Sequence, residues 1–266
     1  MIPMPRQMPA EFELHQSTLM CWPSRDDIWD GRIAEAERAY AELANTIAKY
    51  ESVTMVVDPK HIERAESLCG TGVSVITVPI DDSWCRDSGP IYARESGGGL
   101  VGLDFVFNGW GQKFVPYDQD AQLASRVLTQ QNQYKRSVSM VLEGGSINVD
   151  GAGTLVTTMQ CLLHPNRNPG MSQREIEIVL KDELGVSSVV WLPHGLALDH
   201  DTDGHVAVTV GGLEATGGSH LADELDLIAL EGDRLADAGG IDEQLDGGAL
   251  LAADSADRLL QAEADD

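Results

Sequence analysis

Between Met8 and Val210 the spacing of apolar residues switches repeatedly between strand-like and helix-like, which predicts an α/β chain. Thr18 to Trp22 is a short apolar run stopped by Pro23 and reads as a strand. Ile33, Tyr40, Leu43, Ile47 and Tyr50 then recur at three, four or seven residues, one apolar stripe opposite a charged face, which predicts a helix laid on a sheet. Val53 to Val57 predicts a second strand, Pro59 to Cys69 a second helix ended by Gly70, and Val73 to Ile80 a third strand. Ile91 to Ala93 and Leu100 to Phe107 follow as strands, the latter running into the glycine-rich loop Asn108 to Lys113. Gln119 to Gln131 predicts a helix and Ser137 to Leu142 a strand, and Asp150-Gly151 is a hairpin turn leading into Thr154 to Thr158. Ser172 to Leu184 is a helix in which Ser172 and Glu175 have capping-box spacing, and Ser188 to Leu192 is a strand.

These segments form a degenerate repeat of helix, apolar strand, polar cluster with glycine, and a further strand. The clusters hold Asp87, Glu143 and His205, separated by 56 and 62 residues. A period of that length, one supersecondary unit per repeat, is the signature of an array or ring whose neighbours bury one another's faces. In a ring, like positions meet at the axis. Asp87, Glu143 and His205 are therefore expected in one central pocket.

The first cluster, Asp81 to Pro90 (DDSWCRDSGP), is the densest in chemistry. Asp, Ser, Gly and Pro alone would suit an ordinary turn. Trp84 among Asp81, Asp82 and Asp87 adds what a planar cation needs, an aromatic face and carboxylates for its N–H groups. The expectation is a guanidinium or amine pocket. Glu143-Gly144-Gly145 reads equally as part of that pocket or as a strand-ending turn, its glycines supplying backbone freedom. Asp199, Asp201, Asp203 and Gly204 resemble the start of a calcium loop, but Val210 stands where a bidentate Glu is required, so no metal is expected.

Composition sharpens this picture. Acids outnumber bases 43 to 18, a formal net charge of −25, which disfavours nucleic acid and anionic membrane, tolerates a cationic small molecule and resembles a salt-adapted surface. Met1 to Ala10 lacks the apolar core of a secretion signal and no apolar run approaches membrane-spanning length, so a cytoplasmic location is expected. Cys21, Cys69, Cys85 and Cys161 are scattered without a CxxC pair and are expected reduced. Cys85 beside Arg86 is a conceivable nucleophile, though it would sit inside the cluster rather than face it, and Cys161 reads as an ordinary buried thiol. After residue 208 the character changes. Residues 209–266 are rich in Ala, Gly and acids, lack aromatic residues, and read as an acidic tail, partly disordered or weakly helical around Leu225, Ile228, Leu235, Leu259 and Leu260.

Met8 to Pro23, Asp81 to Pro90, Phe107 to Lys113, Glu143 to Gly153, Thr157 to Pro169 (TTMQCLLHPNRNP) and Trp191 to Val206 resemble, in order and spacing, the agmatine deiminase and bacterial peptidyl-arginine deiminase family of the guanidino-modifying, or pentein, superfamily. The resemblance implies an incomplete α/β propeller over residues 1–208, about three of five repeat units, followed by the tail. It implies hydrolysis of a guanidinium to a ureido group, agmatine to N-carbamoylputrescine plus ammonia, in putrescine and polyamine metabolism without a cofactor. A cysteine thiolate attacks the guanidinium carbon, and a histidine protonates the departing ammonia and then activates water. By the same resemblance Asp87 and His205 are the catalytic acid and histidine, and Asp81, Trp84 and Glu143 bind substrate. The expected partner is a small cationic guanidino molecule, neither nucleic acid nor membrane, with a homo-oligomer left open. Two departures strike the chemistry. The family's Gly-His-x-Asp reads Gly204-His205-Val206-Ala207, and no Gly-Gly-Gly-x-x-His-Cys motif occurs, the last cysteine being Cys161. Very low activity is therefore expected, and a non-catalytic guanidinium-binding or interaction protein is the alternative.

Overall fold

The structure, a computed structural model, describes residues 6–196 and 199–206. The expectations for residues 209–266, and the position of Ala207, lie outside the described residues.

After a two-residue strand β1 (Arg6–Gln7), strand β2 (Ser17–Cys21) leads through helix α1 (Ile33–Ile47) to β3 (Ser52–Val57), and through α2 (Ile62–Leu68) to β4 (Val73–Thr77). The one-turn helix α3 (Cys85–Ser88) precedes the hairpin β5 (Ile91–Glu95) and β6 (Leu100–Val106). Next come the short turn α4 (Gly109–Gln112), helix α5 (Leu123–Gln130) and strand β7 (Tyr134–Val141). Strands β8 (Ile147–Val149) and β9 (Thr154–Thr158) form the hairpin signalled by Asp150-Gly151, and α6 (Met159–Leu162), α7 (Gln173–Leu184) and β10 (Ser188–Leu192) complete the described chain. Ser172 accepts from the Glu175 N–H while the Glu175 carboxylate accepts from Ser172, so the capping box is present.

The strands make three sheets, ordered β2-β3-β4, β1-β5-β6-β7 and β10-β9-β8. The first is parallel throughout. In the second and third an antiparallel hairpin is followed by a helix and then a strand parallel to the hairpin's second member: β5, β6, α5, β7 and β8, β9, α7, β10. That shared order is the repeat seen in the sequence. Each sheet's last strand in sequence, β4, β7 or β10, runs into one of the three polar clusters.

Helix α5 starts at Leu123 rather than Gln119 and strand β7 at Tyr134 rather than Ser137, and two further elements differ from expectation. The buried face of α1 is built from Ala36, Ala41 and Ala44 with Glu37, whereas Leu43 is 41 % exposed and Tyr50, past the helix end, is 85 % exposed. Small side chains let the helix approach the sheet closely, so only Tyr40 and Ile47 of the predicted stripe flank the contact. The third strand stops at Thr77 rather than Ile80. Pro79 has no N–H to offer a ladder, so the chain leaves the sheet, with Val78 and Ile80 still buried beside Val56, Leu123 and Val127. The largest core cluster joins the second and third sheets through Leu103, Met140, Leu142, Ile147, Leu155 and the inner face of α7 (Ile176, Leu180, Leu184). Among the described residues no helix is long and apolar enough to cross a membrane.

Candidate functional site

Three segments far apart in sequence meet at one point. Asp87 comes from α3, Glu143 from the end of β7, and His205 from the segment after β10. His205 Nδ1 lies 3.9 Å from Asp87 Oδ2, and its Nε2 lies 3.8 Å from Glu143 Oε2. These are ion-pair distances rather than hydrogen bonds, and Nε2 is buried without a hydrogen-bond partner. Backbone bonds fix the arrangement: the Gly145 N–H donates to Asp87 Oδ1 at 2.7 Å, and the Val206 N–H donates to the Gly145 carbonyl at 3.2 Å.

The glycines serve a different purpose from the expected one. Neither Gly144 nor Gly145 has a positive φ. A Cβ on Gly144 would lie 2.2 Å from the Arg86 carbonyl, and one on Gly145 would lie 2.5 Å from His205 Nδ1 and 2.7 Å from Asp87 Oδ1. The pair is there for close approach, not for backbone freedom.

Glu143 has a partner that the sequence reading missed. Arg167 Nε donates to Glu143 Oε1 at 2.6 Å, and both side chains are fully buried. The rest of the guanidinium crosses to the His205 segment, donating from Nη1 to Asp203 Oδ2 at 3.0 Å and from Nη2 to the Thr202 carbonyl at 3.2 Å. Lys113 also ion-pairs with Asp203 and donates to the His200 carbonyl at 2.6 Å. Protein groups thus take up two of the aspartates that resembled a calcium loop, Asp203 as described and Asp199, which accepts from Thr202 N at 3.0 Å and from His205 N at 3.0 Å. The available signal was Arg167 itself, since an arginine amid apolar and Pro/Asn residues needs an acid once buried.

A second unforeseen contributor is Trp110. Gly109, Trp110, Gly111 and Gln112 all have φ between 52° and 77°, so the expected glycine-rich loop is a left-handed turn. Such a conformation costs an ordinary residue about 1–2 kcal/mol. It aims the Trp110 Nε1–H at Asp87 Oδ2, 3.0 Å away. Trp110 is buried, and Trp84, 40 % exposed, meets it edge-on at 6.4 Å and stands at the solvent side.

Burial opposes charging the His205 ring, but the Glu143, Asp87 and Asp199 carboxylates outweigh it and raise its pKa above the ordinary histidine value. Cys161 is no ordinary core thiol, because its Sγ lies 3.8 Å from Glu143 Oε2. Burial and the Glu143 charge push that thiol well above its usual pKa, so it is a poor thiolate. Glu143, Cys161 and His205 each present a ligand atom within 4.8 Å of the others. Cys85 turns elsewhere: it joins the core group around Cys21, whose thiol is pushed well up by the neighbouring Cys85 and by burial. Asp81 is not drawn into the cluster either. Its Oδ2 accepts from the Gln119 N–H at 2.7 Å, in a turn where its own N–H donates to Asp120 Oδ1 at 2.8 Å.

Comparison with known proteins agrees in sequence and in fold. The profile of the Porphyromonas-type peptidyl-arginine deiminase family matches residues 7–211. Agmatine deiminase of Stutzerimonas stutzeri is 43 % identical over 213 residues, covering 76 % of this chain and 57 % of that protein. The Pseudomonas aeruginosa agmatine deiminase is 43 % identical over 206 residues, covering 75 % and 56 %. The chain thus spans a little over half the length of the curated relatives it matches. Among solved structures, the agmatine deiminase of Enterococcus faecalis superposes with a TM-score of 0.72 at 34 % identity, covering 76 % of this chain and 56 % of that one. A Campylobacter jejuni agmatine deiminase with substrate bound gives 0.68 at 28 % identity, covering 75 % and 60 %. The chain belongs to the agmatine deiminase and Porphyromonas-type peptidyl-arginine deiminase family.

Proposed function

We propose that this chain binds the guanidinium of a small cationic amine such as agmatine, with Asp87 and Glu143 accepting its N–H groups and the Trp84 ring flanking it. The observation that carries this reading is the convergence of Asp87, Glu143 and His205 from three repeat-related segments. The acids are suitably poised. Glu143 spends one oxygen on Arg167 and keeps Oε2 facing the cluster, and Asp87, fixed by Gly145 and Trp110, retains acceptor capacity on both oxygens. Fixed, partly desolvated carboxylates hold a planar cation more strongly than exposed ones. Like positions meeting at one axis also support reading the three sheets as three blades of a pentein-type propeller.

His205 is the group suited to proton transfer. The neighbouring carboxylates, which raise its pKa, make it hold a proton more readily than an ordinary histidine, a proton to be given to a departing ammonia and retrieved from an attacking water. The covalent step of guanidinium hydrolysis also requires a thiolate: sulfur bonds to the guanidinium carbon, ammonia leaves with the donated proton, and hydroxide from water then displaces the sulfur. Cys161 is held as the thiol and Cys85 faces Cys21, so neither suits that step. The reading is therefore guanidinium binding with little or no turnover.

Calorimetric titration of the full chain with agmatine, run beside an assay for released ammonia, tests it. Saturable binding without ammonia is expected. Absence of binding would overturn the reading, and steady ammonia release abolished by Cys161→Ser would make the chain an enzyme with Cys161 as its nucleophile.

A further inference from the structure

We propose that Glu143, Cys161 and His205 form a binding site for one divalent cation of borderline softness, with Zn2+ as the type. The three donors are a carboxylate oxygen, a sulfur and an imidazole nitrogen, and all three ligand atoms lie within 4.8 Å of one another. Zinc bonds of about 2.0–2.3 Å in a tetrahedron place ligand atoms roughly 3.3–3.6 Å apart. Here Glu143 Oε2 stands 3.8 Å from both Cys161 Sγ and His205 Nε2, so small inward movements complete the geometry.

Three further observations point to a ligand rather than to chance proximity. His205 Nε2 is buried and makes no hydrogen bond, an orphaned donor atom at the centre of the group. Each ligand is held from behind: Asp87 stands beside His205 Nδ1, Arg167 grips the other oxygen of Glu143, and the Cys161 N–H is capped by Thr158 Oγ1 at 3.1 Å. Carboxylate–imidazole–metal and pinned-carboxylate arrangements are the usual outer shells of zinc sites. The local charge also favours a cation, since among the described residues the four carboxylates of Asp87, Glu143, Asp199 and Asp203 face two permanent cations, Arg167 and Lys113, besides the His164 and His205 rings. Thiolate with imidazole selects Zn2+ or Co2+ over Mg2+ and Ca2+, and three protein ligands leave a fourth position for water. Metal entry displaces the thiol proton, as for any cysteine ligand.

The site stands independently of the guanidinium reading, but one consequence rests on that reading: because Glu143 and His205 serve both ligands, metal and guanidinium exclude each other. The test is a Co2+ titration of the chelator-treated full chain, followed by absorbance. A single equivalent should produce thiolate-to-cobalt charge-transfer absorption, which Zn2+ abolishes by displacement while Mg2+ and Ca2+ do not. Cys161→Ser should remove that absorption and weaken Zn2+ binding at least tenfold, whereas Cys69→Ser and Cys85→Ser leave both unchanged. No absorption, its persistence in Cys161→Ser, or its loss in either control would overturn the proposal. Should circular dichroism show Cys161→Ser to be unfolded, His205→Gln decides: a tenfold or larger loss of Zn2+ affinity supports the site, and unchanged affinity overturns it. Agmatine added to the cobalt form should bleach the spectrum. If agmatine binds the metal-free chain but leaves the cobalt spectrum intact, mutual exclusion is wrong. If agmatine fails to bind the metal-free chain at all, the guanidinium reading falls and the metal site stands on its own titration.

Discussion

The ten residues from Asp81 to Pro90 hold two groups of acids that look alike in sequence and live in opposite surroundings. At one end Asp82 is buried, and Asp81 and Asp82 together with buried Asp120 from across the loop are satisfied by backbone N–H groups of Gln119, Ser83 and Asp81. Among the described residues none of these three makes an ion pair. Burial raises the Asp82 pKa and, with Asp81 and Asp82 adjoining, pushes Asp120 up to about 7. At the other end Asp87 faces His205 and the Trp110 N–H, one step from the buried Arg167–Glu143 pair. The first group clamps a turn, and the second presents charge to His205. Density of acids does not separate them; a histidine within ion-pair distance and unspent acceptor capacity do.

The largest effect that tests this contrast comes from Arg167→Met. It leaves the Glu143 carboxylate buried without its cation, and breaking a buried pair from one side costs about 3–5 kcal/mol. Urea denaturation should show a loss of that size. A loss below about 1 kcal/mol would mean that Glu143 is not held as a buried charge, and the distinction between the two groups would collapse.

Asp120→Asn probes the clamp and should give a smaller, pH-dependent effect. A folded-state pKa of about 7 exceeds the unfolded carboxylate value, so between about pH 4 and pH 7 the unfolded chain holds fewer protons than the folded one. The stability linked to Asp120 is fully present below that window and is lost as pH rises through it. Asn does not titrate and keeps an oxygen for the Asp81 N–H. The variant should therefore gain on the native chain as pH rises, by up to a few kcal/mol above about pH 7. A stability difference that stays flat from about pH 4 to pH 8 would remove Asp120 from the cluster of suppressed acids.

The legible parts of this molecule were those written in local periodicity or in turn chemistry. The Ser172–Glu175 cap, the Asp150-Gly151 hairpin and the limits of β10 follow from residues within a few positions of one another. The repeat of polar clusters was legible too, because a period of roughly sixty residues survives the loss of sequence likeness between units. What escaped reading depends on space. The alanine face of α1 is faint on any scale that weights large side chains, yet close packing chose it. Gly144 and Gly145 could signal freedom or room, and only the positions of Arg86, Asp87 and His205 decide for room. Arg167 reaches Glu143 across 24 residues and Asp203 across 36, with no periodic signal linking them. Trp110 is placed by a left-handed turn that its glycine neighbours permit but do not demand.

On the His205 side, Asp87→Asn should weaken agmatine binding about tenfold or more, the scale of one charge-assisted hydrogen bond, with the single amide oxygen left to accept from either the Gly145 N–H or the Trp110 N–H, which now use separate oxygens. Calorimetry gives the affinity and a thermal melt confirms the fold. Affinity within twofold of the native chain would show that Asp87 is a second turn clamp.

The smallest effect is expected at Asp81, and it is the most discriminating because Asp81 and Asp87 stand in the same acidic cluster, read as substrate-binding and catalytic respectively. The Asp81 carboxylate accepts from the Gln119 N–H at 2.7 Å, and its backbone N–H is spent on Asp120, so its chemistry is directed into the α5 approach rather than toward His205. Asn at this position keeps an oxygen for Gln119 and removes only a charge, which costs stability less than about 1 kcal/mol. Agmatine affinity should then stay within about twofold, since a surface-connected charge outside the contact shell is screened within roughly 10 Å at ordinary salt. A tenfold loss in Asp81→Asn, equal to that in Asp87→Asn, would mean that a bound cation draws Asp81 away from Gln119, and the boundary between the clamp and the His205 cluster would have to be moved to include it.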